Sequence, residues 1–275
     1  MKTNLYITSF GFIDSSGFGG TGSKGTVCGL PERFRWREFS ERPYERFGRL
    51  DILSKHVLVA CESADLPLAE DGGKNHGTGI VLGTQSGSLS VDADYYRSTA
   101  EISCGSPALF SYTLPNISIG EIAARYGIAG PNSCIMAGSS SGTAALREGI
   151  RIIEGGEAES CIVVAADAAS TENAELFGLG RAGHAGASCF AYAFVLETSE
   201  RADTAHRKPR AVVSWTGPAA VGELDSLSGP GDICRMLMDG EKEKPDSIML
   251  PLATSRSGRG DVIVIESLPE RKAGS

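Results

Sequence analysis

The stretch from Ser133 to Ala166 constrains the fold more than any other. Ser133–Ala137 is a short apolar run, and Gly138-Ser-Ser-Ser-Gly142 is a tight turn. Thr143–Glu154 carries Leu146, Ile150 and Ile153 at helical spacing and stops at Gly155-Gly156, and Cys161–Ala166 is a continuous apolar run of strand length. Strand, turn, helix, glycine stop and strand make a βαβ unit, because parallel strands need a crossover long enough to hold a helix. The spacing predicts two parallel strands buried on both faces. The fold class is therefore α/β. Thirty-five glycines, about twice the usual share, agree with tight turns and disfavour a helical bundle.

The flanking segments extend this pattern. Leu5–Phe12 reads as a first strand running into a Gly-rich loop, Ser15–Gly25, and Thr78–Leu82 as a buried strand opening into Gly83-Thr-Gln-Ser-Gly-Ser-Leu89. Leu53, Val57, Leu58 and Cys61 recur at helical spacing within Leu50–Ala64, and Ile117–Tyr126 is a short helix stopped by Gly127. The arginine-rich, aromatic stretch Arg33–Arg49 reads as a solvated loop with snorkelling side chains, or as a partner-facing surface. Ser188–Glu197 and Arg210–Trp215 suggest an antiparallel pair at one end of the sheet, and Ser247–Leu250 and Asp261–Glu266 are late strands. Asp225–Asp246 is weakly periodic.

Charge and cysteine content exclude several functions. With 26 Lys and Arg against 34 Asp and Glu, the formal charge is −8, which argues against a nucleic-acid or anionic-membrane surface. The seven cysteines form no C-x-x-C pair and no metal-ligand cluster. With no secretory h-region at the start and no apolar run of about 18 residues, the expectation is reduced thiols, a cytoplasmic location and no membrane span. Asp92, Asp94 and Glu101 read as a solvated face rather than a metal site, and Gly17-Phe-Gly-Gly-Thr-Gly lacks Walker spacing. No cofactor or metal is expected.

The turn is where chemistry would sit. A strand end followed by a helix start aims backbone N–H groups and the helix dipole at whatever lies above it. Read literally, Gly138-Ser-Ser140-Ser-Gly142 matches the G-x-S-x-G nucleophile elbow. Asp167 and then His184 or His206 follow in Ser-Asp-His order. The plainer alternative is a βα turn whose hydroxyls only cap the helix.

A longer comparison runs through Gly83-Thr-Gln-Ser-Gly-Ser, Arg46–Ala64, Pro107-Ala-Leu-Phe, Pro115-Asn-Ile-Ser, Ala123-Ala-Arg-Tyr-Gly-Ile-Ala-Gly-Pro131, Ala137-Gly-Ser-Ser-Ser-Gly, Ala145–Glu159, Val163-Val-Ala-Ala-Asp167 and Gly186–Glu197. Matching order across these segments resembles the β-ketoacyl synthase family, over roughly residues 3 to 216. The resemblance implies a thiolase-like fold, a mixed sheet with flanking helices, with its N-terminal half complete in 1–216 and its C-terminal half strongly reduced to a tail, 217–275, packed on the same domain. It also implies a role in fatty acid or polyketide biosynthesis.

Two departures from the family pattern shape the expected function. Aligning Ser141-Gly142 with the family's turn puts Ser139 where the acyl-accepting cysteine stands, and a serine hydroxyl needs an adjacent base that a thiol does not. Ser139 is therefore expected to be inactive, with Gly138, Ser140, Ser141 and Gly142 as acyl or oxyanion-site candidates. The family's two active-site histidines belong to the reduced half, and the last sixty residues hold no histidine. His56, His76, His184 and His206 read as structural or surface residues. The expectation is a catalytically deficient, chain-length-factor-like subunit that pairs with an active ketosynthase, or with itself, and meets acyl-carrier protein. The alternatives are a serine hydrolase or acyltransferase on acyl thioesters using Ser139 or Ser140, and a homodimeric binding module for acyl chains or acyl-carrier protein.

Overall fold

The computed structural model describes residues 5–22, 26–66, 73–102, 105–168, 189–204, 207–220, 233–234, 237–238, 247–251 and 259–268. Among these residues, ten strands form one mixed sheet: β1 (Leu5–Asp14), β2 (Gly17–Gly20), β3 (Val27–Cys28), β4 (Thr78–Gly83), β5 (Asn132–Ile135), β6 (Ser160–Asp167), β7 (Phe190–Thr198), β8 (Ala211–Ala220), β9 (Ser247–Pro251) and β10 (Arg259–Ser267). The order is β5-β4-β6-β7-β1-β8-β10-β9, with β2 and β3 hung on β1. The described helices are α1 (Ile52–Ser63), α2 (Leu89–Ile102), α3 (Pro107–Phe110), α4 (Ile117–Tyr126), α5 (Ser141–Glu154) and α6 (Ser199–Thr204). None of them is long and apolar enough to cross a membrane.

Side-chain alternation explains the layers. Along β4 and β6, Ile80, Leu82, Ile162 and Val164 face α1 and α4, whereas Val81, Cys161 and Val163 face α5. A strand buried on both faces reads as an unbroken apolar run, as these two do. Helix α5 turns Leu146, Ile150 and Ile153 to the sheet, and α1 starts on an Asp51 cap whose carboxylate accepts from Leu53 N and Ser54 N.

Four expectations need correction. Strands β5 and β6 are parallel but not neighbours, because β4 pairs with both. That leaves β5 at the sheet edge and only partly buried. Strands β7 and β8 pair not with each other but with opposite sides of β1, both antiparallel. The Gly-rich segment after β1 is not all loop: Ser16 donates N–H and O–H to Asp14 Oδ1, which reverses the chain and lets β2 pair back on β1. The stretch Arg33–Arg49 is half interior, with Trp36 and Phe47 buried among aromatic neighbours. The late strands β9 and β10 extend the sheet through β8; most of Asp225–Asp246 lies outside the described residues.

Candidate functional site

The parallel strands β4, β5 and β6 end together, and the segments leaving them build one surface. After β5 the chain passes through Met136 and Ala137 into Gly138, whose φ of 60° lies in the left-handed region open to glycine. Ser141 then locks the turn: its Oγ accepts from Ala137 N at 2.9 Å and donates to Gly138 O at 2.6 Å. Beneath it, a Cβ on Gly83 would come within 2.2 Å of Ser141 O, so only glycine lets α5 start this close to β4.

Within this turn the candidate residues differ sharply. Ser139 and Gly138 are exposed, Ser140 and Gly142 are half-buried, and Ser141 is buried. Ser140 occupies the N-cap position without making a side-chain cap bond. Ser139 Oγ has no hydrogen-bond partner among the described residues, so nothing described there withdraws its proton. Ser141 is spent on the turn itself. The hydroxyl that the geometry presents is therefore that of Ser139, and the buried one, Ser141, holds the backbone in shape.

The loop after β4 abuts the turn. Thr84 N donates to Ile135 O, and Gly87 lies against Met136 and Pro115. Asp167, at the end of β6, clamps this loop: Oδ1 accepts from Thr84 Oγ1, Gln85 N, Ser86 N and Ser86 Oγ at 2.7 to 3.0 Å. Sequence reasoning placed Asp167 as the acid of a Ser-Asp-His series, whereas the structure uses its carboxylate to fix the 84–88 loop. The signal was available: an acid directly after a buried apolar strand must find donors.

Histidines do not converge on the turn among the described residues. His56 is buried in α1, with Nδ1 2.9 Å from Ile52 O and its ring stacked on Phe34. Burial, aided by nearby Lys55 and opposed by the Ile52 carbonyl, holds its pKa below the usual histidine value. His76 is exposed just before β4 begins, at the other end of the sheet from Ser139. His184 and His206 lie outside the described residues.

A second polar cluster went unread in the sequence. Glu62, buried in α1, accepts from Ser40 Oγ, Arg42 Nε, Arg125 Nε and Tyr126 Oη at 2.6 to 3.1 Å. Burial pushes its pKa up, but the Ser40 and Tyr126 hydrogen bonds and the Arg125 and Arg42 charges outweigh burial and hold it below the ordinary value. Arg125 also lies over the rings of Trp36 and Tyr44. This cluster ties α1, α4 and the 33–49 segment together, and Ser40, Arg42 and Glu62 also line an open cavity of about 500 Å³ with Phe18, Phe39 and Asp65.

The family model of the β-ketoacyl synthase N-terminal domain matches residues 38–192. No curated protein matches the chain. Among solved structures, the ishigamide ketosynthase/chain length factor superposes with a TM-score of 0.60 at 20% identity, over 85% of this chain and 70% of that one. A chain of AntDE:AntF, a type II PKS acyl-carrier protein in complex with its ketosynthase bound to the hexaketide, gives 0.67 at 13%, over 98% and 100%. The ketosynthase ApeO in complex with its chain length factor ApeC, from Xenorhabdus doucetiae, gives 0.58 at 15%, over 95% and 99%. At these identities the likeness shows the fold: the thiolase-like mixed sheet of ketosynthases.

Proposed function

For a chain that belongs to the β-ketoacyl synthase family, we propose the role of a non-condensing partner subunit, chain-length-factor-like, in fatty acid or polyketide biosynthesis in the cytoplasm. The observation that carries this reading is the nucleophile turn. Its backbone is held in shape by Ser141, yet position 139 offers an exposed hydroxyl with no partner among the described residues. A serine without a base stays protonated at neutral pH and does not accept an acyl group from a thioester.

Two surfaces support the partners. The outer edge of β5 has no partner strand among the described residues, and an open edge beside apolar side chains invites another chain. Met136, which directly follows β5, is 56% exposed. A ketosynthase subunit, or a second copy of this chain, is the occupant we assign to that edge. Arg33, Arg35 and Arg49 project exposed, with no carboxylate in salt-bridge range among the described residues, in a chain of net charge −8. They suit the acidic surface of an acyl-carrier protein.

The test is reconstitution. The purified chain is mixed with candidate ketosynthases, malonyl-loaded carrier protein and primer, and both complex mass and product length are measured. The expected result is a complex with one ketosynthase, no condensation by the chain alone, and a product length that depends on its presence. A monodisperse monomer that ignores every ketosynthase offered would sink the proposal. Labelling of Ser139 or Ser140 by a fluorophosphonate would transfer the argument to the serine hydrolase or acyltransferase reading.

A further inference from the structure

The open cavity beside Glu62, about 500 Å³, has no part in the subunit role proposed above. Three pieces of chain enclose it: the β2–β3 hairpin, the 37–42 segment, and the end of α1 with Asp65 just beyond. Its walls divide into an apolar side and an acidic side. Phe18 and Val27 are cross-strand partners in β2 and β3, and the Phe18 ring meets that of Phe39 edge-on at 4.9 Å. Val27 lines the cavity and is still 46% exposed, so the apolar side is uncovered.

Charge is unbalanced on the other side. Four carboxylates, those of Glu38, Glu41, Glu62 and Asp65, meet only two guanidiniums, those of Arg37 and Arg42, along the lining. Arg125 reaches Glu62 from α4 as a third cation, which leaves one carboxylate in excess. The excess falls on Glu41 and Asp65. Glu41 has no cation within salt-bridge range among the described residues. Asp65 has Arg42 at 3.9 Å, but Arg42 is committed elsewhere: Nε donates to Glu62 at 2.6 Å and Nη1 to the Leu66 carbonyl at 3.2 Å. Glu38 keeps its own Arg37 at 3.3 Å.

The acidic side is held in shape by the protein itself. Ser40 Oγ donates to Glu62 and accepts from Arg42 N, and Trp36 Nε1 donates to Arg42 O, which closes the 36–42 segment on itself. Water or a sodium ion would meet the carboxylates but leave the two rings and Val27 bare. A cation on an alkyl stem meets both sides at once, its head at Glu41 and Asp65 and its stem along Phe39 and Val27.

We propose that this cavity receives a lysine or arginine side chain from an extended segment of a partner protein. A polypeptide fits better than a free amine because β3 pairs only with β2 among the described residues, so a second strand can lie along β3 while its basic side chain enters the cavity that Val27 lines. The occupant is basic, unlike the acidic carrier protein assigned to Arg33, Arg35 and Arg49, and the site is independent of that assignment.

The test is a titration of the full ¹⁵N-labelled chain, followed by its amide shifts, with three probes: the capped peptide Thr-Val-Lys-Val-Thr, the same peptide with norleucine for lysine, and n-butylamine. The lysine peptide is expected to move the amides of Gly22, Val27, Phe39 and Glu41 to saturation, and norleucine to weaken binding about fivefold, the scale of an exposed ion pair. Glu41→Gln combined with Asp65→Asn should weaken the lysine peptide by about the same factor. Both side chains are exposed, and asparagine tolerates the left-handed φ at 65. Absence of saturable shifts, shifts confined to other parts of the chain, equal affinity for the two peptides, or binding that survives both substitutions overturns the proposal. Butylamine binding as tightly as the lysine peptide also overturns it, since the occupant would then be a free amine. Should the double variant fail to fold, the comparison of the two peptides on the wild-type chain decides.

Discussion

Asp65 stands one residue past the C-cap of α1 with φ 55°, the left-handed conformation that this position takes in many helices and that glycine adopts without cost. Its carboxylate is mostly exposed and 3.9 Å from Arg42, a pair worth little in water. Asp65→Gly is therefore expected to stabilise the chain by up to about 1 kcal/mol, read as a higher urea midpoint; an unchanged or lower midpoint would refute it. The same reasoning applies to thiols. Burial pushes the Cys161 pKa up to about 12 and that of Cys61 higher still, whereas Cys28 is exposed. Among these three, iodoacetamide should label Cys28 alone in the native protein. A Ser139→Cys variant should add a second fast site, because position 139 is exposed at the start of α5, where the helix dipole favours a thiolate. Slow labelling at 139 would mean that the turn is covered.

Two carboxylates decide how elements meet, and each was visible in the sequence only as one acid among many. Glu62 joins α1 to α4 and to the 33–49 segment. Removing it leaves Arg125, a buried cation, without its counter-ion, so Glu62→Ala should cost about 3–5 kcal/mol. Because the folded-state pKa of Glu62 lies below the ordinary value of 4.5, its contribution is complete above that value and disappears as pH falls through the folded pKa. Urea midpoints of wild type and Glu62→Ala should differ at pH 7 and converge in acid; a gap that persists at low pH would count against the ion network. Asp167 does the corresponding work for the 84–88 loop. Asp167→Ala strands the N–H groups of Gln85 and Ser86 and should cost about 2 kcal/mol, with amide exchange accelerating first at those two residues. Uniform acceleration across β6 would instead indicate a general loss of stability.

At the level of the whole molecule, the open edge of β5 and the exposed Met136 beside it set the prediction. Met136→Lys should weaken association with a ketosynthase or with a second copy while leaving the melting temperature within a degree or two, since the side chain is exposed. Unchanged complex mass by light scattering would remove that surface from the interface. The strands, the βα turn, the α1, α4 and α5 helices and the family were legible in the sequence because they rest on local signals: apolar period, glycine stops, and the serine-rich turn around Ser139. Sheet order was not legible, because the hydrophobic pattern of β6 is equally compatible with β5 or β4 as neighbour. Only long-range packing put β4 between them and left β5 at the edge. Nor could the sequence assign Ser141 to the turn and Ser139 to the surface, since three adjacent serines carry identical local information. What separates them is the start of α5 against Gly83, a contact that exists only once β4 and β5 are paired. The sequence by itself determined the α/β class, the family and the place of the turn. Tertiary structure decided which hydroxyl is free, which acids are clamps and which edge is open, because each depends on groups brought together from distant parts of the chain.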